Sequence, residues 1–304
     1  MVFARLHAIK SIEHQAALSI RGGRPETRRA RSLLYSDFAA THLHLVTIRA
    51  RHISVNESVS VVMAVYNGRK FLSEQVQSIL SQLKDDDELI IVDDASTDGG
   101  VGSLGALPAQ TVRLFTNPRN TGVLRTFERG LALANHGIVL LSDQDDIWLP
   151  GKRAAFVEAF QGDPAVCLVI SDAEVIDEEG KLIAASFMEN RGGFDGSLPG
   201  TLWRSRYLGC AMAVRRRVLE VALPIPRFVP MHDMWLGVIG TAVGRVVYLP
   251  TSYLRYRRHG NNLSPGRSSS LVRLLSWRGS LLFMLVCRLV SVRLGMHRQA
   301  AARS

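Results

Sequence analysis

The chain has 304 residues, 47% of them hydrophobic, enough for a sizeable core in one large α/β domain or two smaller ones. Its three cysteines, Cys167, Cys210 and Cys287, stand far apart without metal-ligand spacing, which argues for a reducing compartment and against a disulfide framework. The net charge of +10 sits at the ends: residues 1–58 carry +5, residues 265–304 carry +7, and the body between them −2. A near-neutral body without a basic, aromatic-interleaved stripe excludes a nucleic-acid groove, whereas basic arms suit an anionic membrane surface.

Residues 1–57 show little periodicity. The stretch IRGGRPETRRARS is rich in Arg and Gly and reads as a disordered or loosely helical arm; an upstream translation start is the alternative. No run reaches the ~18–20 apolar residues of a membrane span. The opening MVFARLHAIK is interrupted by Arg5, His7 and Lys10, unlike a secretory signal. The expectation is a cytoplasmic protein, peripheral at the inner face of the plasma membrane.

From Val59 the pattern sharpens. VSVVMAVYN (59–67) is an apolar, β-branched run of the kind buried in parallel sheets. In 69–83, Phe71, Leu72, Val76, Ile79, Leu80 and Leu83 recur at helical spacing. ELIIVDDASTDGG (88–100) is a second strand running into a turn, with Asp98 a turn residue; TVRLFTN (111–117) is a third. A helix over 121–135 follows, then GIVLLSDQDD (137–146), a strand ending in Asp143, Asp145 and Asp146. A strand and turn are predicted at 165–177, a strand or turn leading into a basic helix at 206–222, and a helix over 230–244 with His232 and Asp233 in its first turn. A last strand precedes the basic cluster Arg255, Arg257, Arg258 and His259. The tail 271–294 reads as a helix with arginines on half its circumference, either lying in a membrane interface or packed on the body.

Strands alternating with helices predict right-handed crossovers and a mostly parallel sheet covered on both faces. Ligands bind beyond the carboxyl ends of such strands. There stand Tyr66, Asp93 and Asp94, and Asp143, Asp145 and Asp146. Carboxylates packed this closely repel one another and call for a positive partner, with a hard divalent cation the obvious candidate.

Residues 59–264 resemble the family-2 glycosyltransferases of GT-A fold, bacterial rhamnosyltransferase-like members in particular. The resemblance is carried by VSVVMAVYNG (59–68), IIVDDASTDG (90–99), NPRNTGVLRTFERGL (117–131), LLSDQDDIWLPGK (140–152), HDMWLG (232–237) and YRRHGNN (256–262), in the family's order. It implies a Rossmann-like α/β sheet over 58–264, flanked by an N-terminal extension (1–57) and a C-terminal tail (265–304). It implies a base-binding edge at Ala64 and Tyr66, with Asp94 accepting a hydrogen bond from the base and Asp93 beside it. Asn120 and Gly122 match the N-x-G turn. Asp143 and Asp145 match the DxD-type pair, with Asp145 the direct ligand of Mg²⁺ or Mn²⁺ and His259 near the metal or the diphosphate. Arg257 and Arg258 either assist there or are solvated charge. Asp233 matches the catalytic base, its alternative role being a helix cap; His232 and Gly209 fall on the acceptor side.

The implied activity is inverting, metal-dependent transfer of a single sugar from a nucleotide-diphosphate donor, dTDP-rhamnose or a UDP-sugar, to a glycan or lipid-linked polysaccharide precursor. The Q-x-x-R-W stretch of processive members is absent. The alternatives are a catalytically inactive nucleotide-sugar-binding protein of the same fold, or a nucleotidyltransferase; the latter expects a Gly-rich basic loop where this chain has YNGRKFL.

Overall fold

The computed structural model describes residues 57–203, 206–260 and 271–295. The N-terminal extension, apart from Glu57, lies outside the described residues, as do Asn261 and Asn262 of the YRRHGNN stretch. The described residues belong to one compact unit.

A parallel half is built first. Strands β1 (Val59–Val65), β2 (Glu88–Asp93), β3 (Val112–Thr116) and β4 (Ile138–Ser142) lie in the order β3-β2-β1-β4, every pair parallel. The residues of β1, β2 and β4 are buried along nearly their whole length, which is why these strands read as continuous apolar runs rather than alternating ones. Helix α1 (Leu72–Leu80) buries Leu72, Gln75, Val76 and Ile79, the face its spacing predicts. Helix α2 (Val123–Leu133) approaches the sheet so closely that a Cβ on Gly130 would meet Val62 Cγ1 at 2.4 Å. The Gly-rich connection after β2 holds only a 3₁₀ turn, Val101–Leu104, where the alternating pattern left room for a helix.

The second half changes direction. After the two-residue strand β5 (Ile147–Trp148) come α3 (Lys152–Gln161), the long β6 (Val166–Ile176), β7 (Leu182–Ala184), α4 (Leu198–Trp203), β8 (Met212–Arg215), α5 (Arg216–Ala222), α6 (His232–Val243), β9 (Arg245–Arg257) and α7 (Leu271–Arg293). Strand β8 enters antiparallel between β4 and β6, while β6 and β9 are parallel. The sheet is thus mixed, wholly parallel over β3-β2-β1-β4 and continuing β4-β8-β6-β9-β5.

The two halves are tied beneath the sheet by a buried ion pair. Asp87 accepts from Arg153 Nε at 2.6 Å and Nη2 at 2.8 Å, and also from the amides of Val59 and Lys84. With every oxygen satisfied, the pair repays its desolvation; a lone partner would not.

The tail is a helix, as the periodicity predicts, and one of its faces packs on the body. Leu281 and Leu285 are buried, and the Arg288 guanidinium donates to the carbonyls of Val221, Leu223 and Pro224 at the end of α5. Among the described residues no helix is long and apolar enough to cross a membrane.

Candidate active site

Strand directions explain why residues far apart in sequence meet at one edge. In the parallel half, Val65 pairs with Asp93 and Met63 with Ser142, so Tyr66, Asp94 and Asp143 all leave the sheet at the same side. Because β8 runs antiparallel to β4, it is the start of β8 that lies beside the end of β4, and the loop Gly209–Ala211 is delivered next to Asp143. Because β5 pairs antiparallel with β9, with Ile147 opposite Arg255, the residues before Ile147 come opposite those after Arg255. That register brings Asp145 and Asp146 to Arg257 and His259.

At one corner of this edge Tyr66 is 46% exposed. The side chain of Gln144 clasps the same residue: Oε1 accepts from the Tyr66 amide at 2.8 Å and Nε2 donates to its carbonyl at 3.0 Å. Asp94 is 2% exposed and accepts from Asn117 Nδ2, the Thr121 amide and hydroxyl, and the Gly122 amide. Burial pushes its carboxyl up, but these donors outweigh burial and leave it below the ordinary range. Asp94 thereby holds the turn that starts α2, where Gly122 adopts φ +85° and Asn120 Oδ1 accepts from the Gly122 amide. Neighbouring Asp93 uses one oxygen, Oδ1, for the amide and hydroxyl of Ser96. Asp93 pairs with Val65 and the Asp94 amide donates to the Val65 carbonyl, so both carboxylates stand beside Tyr66 at this corner.

The acidic corner is more heavily charged. Donor atoms of Asp143, Asp146 and Cys210 all lie within 4.8 Å of one another. Asp146 is fully buried; Oδ1 accepts from the Arg257 amide at 3.0 Å and Oδ2 has no partner. Burial, followed by the charge of Asp145, pushes Asp146 up to about 7; burial and then its acidic neighbours hold Asp143 well above the ordinary carboxylate range. Burial and the same two carboxylates also raise the Cys210 thiol, which serves as a neutral neighbour. Two hard oxygen donors that repel each other, one with an orphaned buried oxygen, fit a divalent cation such as Mg²⁺ or Mn²⁺. Asp145, whose charge acts on both Asp143 and Asp146, has its Oδ2 2.7 Å from His259 Nε2.

Two basic residues here have tasks that the sequence does not announce. Arg257, 3% exposed, is neither solvated nor aimed outward. Its guanidinium donates to the Asp145 and Glu178 carbonyls and to Glu74 and lies over the Phe71 ring, so it clasps the acidic loop from below. Lys152, fully buried, donates to the Cys210 carbonyl at 2.6 Å and faces the Trp148 ring at 4.4 Å. Burial lowers it to about 8. Gln75 is also buried, donating to Ser142 Oγ and the Asp143 carbonyl.

On the far side, α6 opens with His232 and Asp233. Burial raises Asp233 to about 6, against the opposing effect of backbone amides including that of Met234, which donates to Oδ1 at 2.6 Å. The carboxylate thus touches its own helix start, the capping contact its position allows. His232 is buried, stacked on Phe127 with centroids 3.9 Å apart, and neither ring nitrogen has a partner. Burial drops it to about 3, so it is neutral. A Cβ on Gly209 would meet His232 Nε2 at 2.9 Å and Asp233 Cβ at 3.4 Å. The close approach that Gly209 permits is that of His232 and Asp233.

A mixed sheet of this order, with strand ends gathering acidic residues at one edge, defines the GT-A class of glycosyltransferase folds. The chain belongs to the glycosyl transferase family 2, whose model matches residues 60–222. It is 29% identical over 215 residues to an uncharacterized glycosyltransferase of Nostoc sp., covering 67% of this chain and 66% of that one, so the match spans just under two thirds of the relative's length. It is 33% identical over 95 residues to the glycosyltransferase GlyG of Streptococcus pneumoniae, covering 31% of this chain and 32% of the other. Among solved structures it is similar to S. aureus TarS 1-349 in complex with UDP-GlcNAc, with a TM-score of 0.58, 15% identity and coverage of 74% of this chain and 66% of that one. It is also similar to the mannosyltransferase PcManGT of Pyrobaculum calidifontis in complex with GDP-Man and Mn²⁺, with a TM-score of 0.51, 19% identity and coverage of 90% and 72%. These likenesses support the fold.

Proposed function

We propose that the protein transfers a single sugar, with inversion, from a nucleotide-diphosphate sugar to a hydroxyl of a glycan or lipid-linked polysaccharide precursor. The observation that carries this reading is the meeting of three chemistries at one sheet edge: an exposed aromatic residue beside two carboxylates (Tyr66, Asp93, Asp94), a repelling acidic pair (Asp143, Asp146), and a carboxylate raised to about 6 (Asp233). Tyr66 would stack on the base, with Asp94 and Asp93 beside it at the base edge. Asp143, Asp145 and Asp146 would hold Mg²⁺ or Mn²⁺, with His259 oriented by Asp145. A bound cation there would supply Lewis-acid stabilisation of charge on the leaving diphosphate.

Asp233 takes the proton of the acceptor hydroxyl as that oxygen attacks the anomeric carbon from the face opposite the phosphate. The new C–O bond forms, the bond to phosphate breaks, and the nucleoside diphosphate leaves with the electron pair. Neutral His232 adds no positive charge that would weaken Asp233 as a base. The resemblance of SDQDDIWLP and YRRHGNN favours a dTDP-rhamnose donor, with UDP-sugars the next choice.

Calorimetric titration with UDP and dTDP, with and without Mn²⁺, followed by a transfer assay over a donor panel, tests the reading. Metal-dependent binding of one diphosphate and turnover of its sugar is expected. Neither binding nor turnover of any donor would sink it.

A further inference from the structure

The C-terminal helix α7 has two unlike faces. One carries Leu281, Leu285 and Arg288 into the body. The other presents Leu282 (47% exposed), Phe283 (62%), Val286 (52%), Leu289 (36%), Val290 (50%) and Leu294 (64%). On a 3.6-residue helix these positions fall on one continuous sector opposite the buried one. An apolar stripe of this size on an otherwise folded surface marks a contact with something else.

Charge identifies what that is. Residues 265–304 contain seven Arg and no Lys, Asp or Glu. A symmetric pair of chains meeting through this helix would set one such cationic segment against another, whereas an anionic lipid surface complements both the charge and the apolar stripe. A helix that does not meet the requirements of a membrane span can still lie in the interface with one face submerged. The helix is also coupled to the acceptor side. Arg288 holds the carbonyls of Val221, Leu223 and Pro224, directly before the loop that carries Phe228, 75% exposed, and leads into His232 and Asp233.

We infer that the exposed face of α7 docks on an anionic lipid bilayer, with Phe228 on the adjoining loop as a second apolar contact. The face is distinct from the sheet-edge site, and it deepens the reading above by naming where a lipid-linked acceptor would be met.

The test uses the full chain. Cys287, on the rim of this face, is exposed, and Cys167 and Cys210 are buried, so a polarity-sensitive thiol dye reports from α7. Vesicles of phosphatidylcholine alone and of phosphatidylcholine with phosphatidylglycerol are compared by dye emission and, for unlabelled protein, by co-sedimentation. The expected result is a blue shift and sedimentation with the anionic vesicles only, weakened by salt. The triple variant F283S/V286S/V290S should bind roughly tenfold or more weakly while still binding nucleotide diphosphate like the parent. Absence of binding to anionic vesicles, or binding unchanged in the variant, overturns the inference. So does a concentration-dependent dimer in ultracentrifugation that the same substitutions dissolve, which would make the face an interface between copies. Vesicle binding is read without sugar transfer, so the failure of either claim leaves the other standing.

Discussion

Asp145 Oδ2 and His259 Nε2 stand 2.7 Å apart, joining the loop after β4 to the end of β9 across more than a hundred residues of sequence. The pair lies at the edge of the acidic corner, with Phe71 against the imidazole at 5.3 Å. Replacing Asp145 with Asn, or His259 with Ala, removes one partner of this contact at the corner proposed to face the diphosphate. Both should lower kcat by roughly 10²–10³-fold, the usual cost of losing one transition-state stabiliser. Steady-state transfer kinetics, with thermal melts as a folding control, check this.

Asp233→Asn should remove the base and keep the shape. The expected loss in transfer is about 10²–10⁴-fold, with UDP or dTDP affinity unchanged. A variant with near-parental turnover would leave Asp233 only its place at the start of α6.

Asp233 also sets a pH limb. Its carboxyl, raised by burial to about 6, must be ionised to accept a proton. The rate should therefore be level above that value and fall about tenfold per pH unit below it. A profile of kcat/KM from acidic to neutral pH reads the limb directly, and D233N should abolish it.

The acidic corner makes a prediction about stability without metal. Asp146 goes from an ordinary 3.8 to about 7, through burial first and Asp145 second. The folded state thus holds its proton more tightly than the unfolded state does, so stability contributed by the protonated form is present below the ordinary value and is lost as pH rises towards the folded one. Chelator-treated protein should melt several degrees lower at pH 7.5 than at pH 5, and Mn²⁺ should restore the loss. Asp143→Asn should raise the melting temperature of the metal-free protein and blunt the response to Mn²⁺.

Two structural substitutions separate architecture from chemistry. Asp87→Ala leaves Arg153 buried and unpaired, and should cost about 3–5 kcal/mol in urea unfolding. Gly209→Ala drives a methyl against His232 and Asp233; with the base displaced, kcat should fall ~10²-fold while the melt moves little.

The parallel half was legible in the sequence because its strands are buried along their length and run into polar residues: each of Val59–Val65, Glu88–Asp93 and Ile138–Ser142 contains an unbroken apolar stretch, and the sequence alone does not mark the residue where each strand stops. The direction of β8 was not, since four residues carry no mark of whether they run with or against a neighbour. That direction is what brings Cys210 to Asp143. Lys152 reads as an ordinary cation at a helix start, and only the packing of Trp148 and Phe156 around it reveals that it is buried. The exposed stripe of α7 was half visible: the periodicity was plain, but which arginine would turn inward depends on the carbonyls at the end of α5.

Gln144, between Asp143 and Asp145, is spent inwards on both backbone groups of Tyr66. Few side chains can donate and accept at that reach; glutamate lacks the donor and lysine the acceptor. The middle position of the acidic stretch is therefore an interlock, not a spacer. A displacement of Tyr66 is therefore passed directly to the carboxylates on either side of Gln144.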